Sequence, residues 1–574
     1  MQAGDYLDLN KVNPLIEKWA LKNAADYGSA DVGAVVGKVL SEAPELKMSI
    51  SKVVPLVKEM IERINKMSKE EIQAVMRKYE YIEKAYEEKK ITLPNAKGLV
   101  RTRFAPEPSG YMHIGHAKAG LISYVAAIEY GGDFHIRFDD TNPEKVEQKY
   151  VDEAIKDMCW LGMKWNSESY TSDNIESFYD YGMTLIKKGK AYVCECSPET
   201  IKQNRRERVN CPCKNKPPVQ NIREFERMIG GLYKGGERFV RYAGDMSSFN
   251  TVMRDPALFR IVEKPHYRQG DKYVVWPTYD FVTPILDSIE GITHAVRSKE
   301  YELRDELYGA IQSDLELKKT IIVPISRLQI KGTSTQKRVI RKLVEEGKVT
   351  GWDDPRLVTL AALKRRGITP EAIKNFVLSF GIGKAESNPD MEKLLVENRK
   401  ILDPIAKRFF FVKNPIPIEI KNMQKKEIEI HLHPTNASIG KRKLQLEGIV
   451  YICETDADKI NEGETIRLLD FTNVKILKKS EGKGMIAEEI QIEDYPEKRI
   501  PWVPEDSVKG TVTKPGPLFV GEDEEIYNFD SLLVEEGLCE RSCLDLGEGE
   551  IIQFVRYGFV CLDSKKEMEF IYSC

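Results

Sequence analysis

Residues 101–116 read Arg-Thr-Arg-Phe-Ala-Pro-Glu-Pro-Ser-Gly-Tyr-Met-His-Ile-Gly-His, and this stretch decides the fold. Val100–Phe104 has the β-branched and aromatic content of a short strand. The middle, with its Pro and Gly, is a loop, and His116–Tyr130 has the apolar spacing of a helix. Phe134–Phe138 reads as a second strand. A strand–loop–helix–strand unit implies parallel strands joined by a crossover, hence a doubly wound α/β sheet. Such sheets bind ligands beyond their C-terminal strand ends, which is where this loop lies. His113 and His116 are three apart and share one face of the first helical turn. Imidazole donors beside a helix N-terminus suit an anionic phosphate chain, because the peptide dipoles add partial positive charge there. Gly115 between them lacks a side chain, so a flat base can lie against the backbone. On its own an H-x-x-H pair is more often two surface histidines or a zinc pair. The surrounding sequence decides against that.

Outward from this loop, the chain has 574 residues, which at roughly 150 per domain implies about four domains. The 87 Lys+Arg against 90 Asp+Glu exclude a uniformly cationic nucleic-acid binder but leave room for basic patches. No run approaches about 18 apolar residues, so no membrane span is expected. The acidic start, MQAGDYLDLN, does not read as a signal peptide, and ten sparse cysteines point to a reducing, cytoplasmic setting.

Residues 1–95 read as a helical extension. Ser68 and Glu71 form a capping box ahead of Ile72, Val75, Met76, Tyr79 and Ile82 at helical spacing. Gly33-Ala-Val-Val-Gly37-Lys38 lacks the spacing and the hydroxyl of a phosphate loop and reads as two small residues that let helices approach. Residues 96–190 and 271–330 read as two halves of one doubly wound core, split by an irregular, cysteine-bearing insertion over 191–270. A mainly helical connector follows over 331–408. Beyond it the hydrophobic period becomes two, with short strands such as Glu427–His433, Ile449–Cys453 and Ile551–Val555, so 409–574 is expected to form β-barrels.

Cys194-Glu-Cys196 and Cys211-Pro-Cys213 make two C-x-C knuckles. Four thiolates on short knuckles suit a closed, structural Zn²⁺ site rather than a catalytic one, since no coordination position is left open. Arg205, Arg206 and Arg208 lie between the knuckles and suit a nearby phosphate backbone.

The chain is recognisable by its motifs. Pro106–His116 resembles the HIGH signature of class I aminoacyl-tRNA synthetases in its glutamyl/glutaminyl form, and Arg137-Phe-Asp-Asp-Thr-Asn-Pro143 resembles the next strand of that subgroup. Trp276–Phe281, Asp287–His294 and Gly351–Arg356 follow in the family's order. Arg327-Leu-Gln-Ile-Lys-Gly-Thr-Ser-Thr-Gln-Lys-Arg338 resembles the KMSKS loop, with Lys337 on its second lysine, Arg338 as a further cation and Gln336 where the usual serine stands. The resemblance implies a Rossmann-type catalytic core, an inserted acceptor-end domain and anticodon-binding barrels. The β-rich end and Asp31–Val39 resemble the archaeal glutamyl branch, whose bacterial counterparts finish in helices instead.

The resemblance further implies ATP binding by Pro106, His113, Gly115, His116, Arg327, Leu328 and Lys337, with Mg²⁺, and His113, His116 and Lys337 stabilising phosphate charge. It implies an amino-acid pocket of Arg103, Asp139, Tyr279 and Arg297. Asp139 suits the substrate ammonium by charge. Glutaminyl enzymes carry cysteine where Arg297 stands. A guanidinium pairs bidentately with a carboxylate, and burying it without an anion costs roughly 3–5 kcal/mol, so glutamate is favoured over glutamine. The activity implied is attachment of glutamate to tRNA-Glu by a monomeric enzyme through a glutamyl-adenylate, with tRNA-Gln as a second candidate acceptor. The rivals are a glutaminyl enzyme, opposed by Arg297, and a tRNA-binding paralogue without catalysis, suggested by Gln336. Lys407, Arg408, Phe409 and Trp502 are residue types that stack on or neutralise unpaired bases, although barrel aromatics more often fill cores.

Overall fold

In the computed structural model, which describes residues 9–27, 30–76, 78–79, 90–384, 388–480, 484–491, 496–521 and 526–574, the central sheet has five strands. They are β1 (Arg101–Phe104), β2 (Asp133–Phe138), β3 (Ser167–Tyr170), β4 (His294–Ser298) and β5 (Ile321–Ile325). Their order is β3-β2-β1-β4-β5 and every neighbouring pair is parallel. The order reverses between β1 and β4, and the crevice beyond their C-terminal ends is where doubly wound sheets bind ligands.

Helix α1 (Ile114–Glu129) crosses this sheet and begins two residues earlier than the apolar spacing implies, because His113 is its N-cap. It is apolar on two sides. Ile122 and Ala126 pack on Val100, Val296, Val323 and Ile325 of the sheet region. Ala117 and Leu121 share a second core with Leu360, Ile373 and Phe376 of the connector. That connector contains helices Lys337–Glu345, Leu360–Arg365, Pro370–Ser379 and Met391–Leu402.

The insertion carries a four-stranded antiparallel sheet of Ala191–Cys194, Phe239–Tyr242, Ala257–Ile261 and Val275–Pro277. This sheet runs past residue 270 because Val275–Pro277 pairs with Ala257–Ile261, and the fully buried Trp276 packs in a core that the sheet shares with helices Ile175–Lys187 and Tyr279–Ile289.

The C-terminal part holds two seven-stranded sheets, and each closes on itself. Strands Lys407–Phe409 and Phe411–Lys413 are one residue apart in sequence yet form opposite edges of one sheet. Strands Arg499–Ile500 and Val503–Pro504 do the same for the other. Edges joined by one or two residues cannot be far apart, so both sheets are barrels, which removes the exposed strand edges. Phe410 and Trp502 sit at the two closure points, both buried, with rings 6.3 Å apart. Phe409 and Trp502 are therefore core residues and cannot stack on bases. Lys407 pairs with Glu550 and Arg408 with Asp403.

The N-terminal unit, residues 1–88, has its own core. Helices Leu9–Tyr27, Val32–Glu42, Ile50–Ile64 and Lys69–Met76 bury Ile16, Val35, Val57 and Ile72, among others. The capping box forms: Glu71 N donates to Ser68 Oγ and Ser68 N to the Glu71 carboxylate. Ile82 lies outside the described residues. Gly33 and Gly37 are exposed, and a Cβ at Gly37 would meet nothing, so close helix approach is not their role. No helix among the described residues is long and apolar enough to cross a membrane.

Candidate active site

A cleft of about 530 Å³ opens at the β1/β4 reversal. Pro106, His113, Gly115, His116, Arg327, Leu328 and Lys337 line one side of its chemistry, and Arg103, Asp139, Tyr279 and Arg297 the other. Residues up to 234 positions apart in sequence thus share one cavity, because parallel strands deliver all their C-terminal loops to the same edge.

The phosphate-side loop is pinned before its helix begins. Ile114 N donates to Val358 O and Leu360 N to Met112 O, a bridge to the connector. Gly115 N donates to His113 Nδ1 at 3.0 Å, and His113 N to His116 Nδ1 at 3.2 Å. Each Nδ1 is an acceptor, so each ring carries its proton on Nε2. Burial, reinforced by Lys337 and Arg327, pulls His113 down to about 3. Burial, His113 and Lys337 likewise hold His116 well below the usual imidazole range. Both histidines are neutral hydrogen-bond donors near neutral pH and bring no formal charge. A Cβ at Gly115 would lie 2.9 Å from the His113 ring and 3.7 Å from Leu328 O, so only glycine leaves a flat backbone floor there.

Lys337 is the first residue of its helix and reaches back across the cleft. Its Nζ donates to Glu107 O at 3.1 Å and to Ser109 Oγ at 2.9 Å, which ties the second loop to the first. Gln336 makes no side-chain cap for that helix, and its backbone N–H donates instead to Ser334 Oγ. Arg338 is exposed and outside the cleft lining, so the second cation of the loop does not face the cavity. Arg327 pairs with Glu300 at 2.8 Å. Lys118, on α1, was not singled out from sequence. It is almost fully buried and donates to Ser326 O and Oγ, fixing the start of the second loop, and burial lowers its pKa to about 8.

The amino-acid side is a buried ion network. Arg103 donates through Nε and Nη2 to Asp287, at 3.0 and 3.1 Å, and through Nη1 to Val296 O at 2.9 Å. Arg137 donates to Asp287 at 2.8 Å and Glu290 at 2.6 Å. Burial alone would raise both carboxylates, yet the two arginines outweigh it for Asp287, and chiefly Arg137 does so for Glu290, and each titrates at about 2. For Asp139 burial wins against Arg137 and pushes its pKa to about 6. Thr171 Oγ1 and Arg137 Nε both approach Asp139 Oδ1, at 2.9 and 3.4 Å. Arg297 is buried, with Nη1 donating to Asp305 Oδ1 at 2.9 Å. Asp287, Glu290 and Asp305 were missed as partners in sequence. Asp287 and Glu290 lie inside a quoted motif, but nothing local marks them as inward-facing.

The knuckle cysteines converge in the insertion. Cys211 Sγ lies 3.6 Å from Cys194 Sγ and 3.5 Å from Cys196 Sγ, with Cys196 and Cys213 4.0 Å apart. The four sulfurs lie within 4.8 Å of one another and could hold a metal ion. Arg241 donates to Cys194 Sγ at 3.7 Å. Arg205 is tied to Thr251 O, and Arg208 lies over the exposed Phe249 ring at 5.1 Å.

Three family models match the chain. Class I tRNA synthetases (E and Q), catalytic domain, covers 99–404, and two anticodon-binding domains of the same class cover 406–494 and 499–563. Among similar curated proteins, the glutamate–tRNA ligase of Nitrosopumilus maritimus is 42% identical over 565 residues, covering 97% of this chain and 98% of its own. That of Korarchaeum cryptofilum is 38% identical, covering 98% and 100%, and that of Pyrococcus furiosus 38%, covering 96% and 97%. A solved glutamate–tRNA ligase from Elizabethkingia meningosepticum aligns with a TM-score of 0.41 at 19% identity, over 54% of this chain and 70% of that one.

Proposed function

The chain belongs to the class I tRNA synthetases of the glutamate and glutamine type, and from that premise we propose that it attaches glutamate to tRNA-Glu at the expense of ATP. The observation that carries the site assignment is convergence: every nucleotide-side and amino-acid-side residue expected from sequence lines one cleft at the sheet's reversal point.

ATP binds with its base over the Gly115 floor beside Leu328, and Mg²⁺ bound with it would offset phosphate charge. The glutamate ammonium sits on Asp139 and the side-chain carboxylate on Arg297. The α-carboxylate attacks the α-phosphorus; a C–O–P bond forms, the bond to the bridging oxygen breaks, and pyrophosphate leaves with that electron pair. His113 and His116 donate Nε2–H to phosphate oxygens, and Lys337 moves off Glu107 and Ser109 to meet the charge that develops on the leaving group. The acyl group then passes to the terminal adenosine of tRNA. The chain supplies position and electrostatics and no covalent nucleophile. The same reading makes it a cytoplasmic monomer that needs bound tRNA for activation, with tRNA-Gln as a second candidate acceptor.

The cysteine cluster is proposed as a structural Zn²⁺ site. Tetrahedral Zn–S bonds of about 2.3 Å set S···S near 3.8 Å, and the observed sulfur spacings bracket that. Metal analysis is expected to give about one zinc per chain, and less than about half an equivalent after gentle purification would count against it.

Pyrophosphate exchange with ATP, glutamate and tRNA tests the activity. Exchange that requires tRNA is expected. No exchange under any condition would favour a tRNA-binding paralogue without catalysis.

A further inference from the structure

Two arginines reach the amino-acid side of the cleft, and they are held differently. Arg103 has its Nε, Nη1 and Nη2 already donating to Asp287 and Val296. Among the described residues, Arg297 donates only through Nη1, to Asp305, and its buried Nε has no acceptor. Buried donors are almost always satisfied in folded proteins, so an orphan beside a binding cleft marks where a ligand acceptor belongs. The guanidinium is also fenced by three rings, with Tyr279, Tyr301 and Tyr308 centroids 5.9, 5.5 and 5.1 Å from its Cζ. The rings confine the plane of the group, and among the described residues the hydrogen bond that fixes the fork between them is the one from Nη1 to Asp305.

Asp305 is well placed to do so. It is the first residue of the helix Asp305–Asp314, where an acid is favoured by the peptide dipoles, and the short segment Lys299–Arg304 ties it to the end of β4. It is about one-third exposed, while Arg297 is nearly fully buried. It therefore anchors a buried guanidinium from a partly exposed position outside the cleft lining.

Resting on the proposed glutamate reading, we infer that Asp305 is the positioning residue that sets amino-acid specificity: by holding Nη1 it leaves the Nε edge of Arg297 for a substrate carboxylate. Two consequences follow. Arg297 arrives already partnered by an anion, so the cost of a buried guanidinium without one, expected from sequence, does not apply, and glutamate is chosen through a fixed pair of donors that a carboxylate can accept from side-on. An amide offers one acceptor oxygen to the same edge and sets its NH₂ against the other donor, so glutamine fits the fork only halfway.

The test compares Asp305→Ala and Asp305→Asn in the full-length enzyme with tRNA, measuring aminoacylation kinetics for glutamate and glutamine and the melting temperature of each. Asp305→Ala is expected to raise KM for glutamate about tenfold, with kcat within about threefold and KM for ATP within about twofold. It should also lower the glutamate-over-glutamine ratio of kcat/KM by about tenfold. Asp305→Asn keeps an oxygen that accepts from Nη1 and is expected to restore KM for glutamate to within about threefold of the unmodified enzyme. Unchanged KM for glutamate in Asp305→Ala would overturn the proposal. So would equal losses for glutamate and ATP, or an Asn variant as impaired as Ala at the same melting temperature. The unmodified enzyme keeps the two questions apart: if it fails to charge glutamate, the functional reading falls, whatever the variants do.

Discussion

The two walls of the cleft use charge in opposite ways. The wall proposed to take the amino acid is built in advance: Arg103 and Arg137 on the core strands and Asp287 on the helix Tyr279–Ile289 are buried and mutually paired, with the half-buried Glu290 at that helix's end. The phosphate wall is not a network of paired ions: its histidines are neutral, Lys337 is a cation tied to a neutral carbonyl and a neutral hydroxyl, and Arg327 is matched by Glu300. The difference follows from the two tasks. A small zwitterion must be recognised in its ground state, which rewards a rigid receptor. Phosphate charge redistributes during reaction, and a cation delivered by a loop can favour the transition state over the ground state.

This contrast can be broken most sharply at the rigid wall. Asp287→Ala leaves Arg103 and Arg137 without their shared carboxylate, and the loss of a partner from a buried ion network costs about 3–5 kcal/mol. Urea unfolding of the catalytic core is expected to show a loss of that size, with glutamate use abolished. The mobile wall should behave otherwise. Lys337→Ala is expected to lower kcat for pyrophosphate exchange about 10²–10³-fold, a magnitude typical of removing one electrostatic contact to a transition state. Its melting temperature should stay within about 1 °C, since no fixed ion pair is lost.

The pH dependence sharpens the same division. Asp139 titrates at about 6 because burial outweighs Arg137, and only its ionised form holds an ammonium. Stopped-time assays should show kcat/KM for glutamate flat above about pH 7 and falling about tenfold per unit below about pH 6. His113, near 3, should contribute no inflection between pH 5 and 8. A second inflection near 6.5, lost in His113→Asn, would mean that this histidine carries charge after all. The smallest effect is expected at Arg338: Arg338→Ala should change exchange by less than about twofold, because its side chain is exposed and outside the cleft.

The sequence was legible where chemistry is local. The loop 101–116 carries strand, turn, cap and histidines within sixteen residues, and the cysteine knuckles announce themselves by spacing. Relationships that depend on tertiary closure were not. Asp305 serves Arg297 across a helix boundary, and no periodicity links them. Lys118 lies in an apolar helix as though exposed, yet the second loop takes it in. For Phe409 and Trp502 an alternating strand does not say which face is enclosed, so sequence leaves base stacking open beside the favoured reading of barrel aromatics as core; the closure of the barrels puts both inside, as that reading has it.

The most direct test of the whole account is charging of tRNA-Glu by the purified enzyme with glutamate and glutamine in parallel, alongside Arg297→Cys. The unmodified enzyme is expected to attach glutamate and to reject glutamine by at least about a hundredfold in kcat/KM, and the variant is expected to lose glutamate use. Comparable charging with glutamine, or an Arg297→Cys enzyme that uses glutamate undiminished, would contradict it.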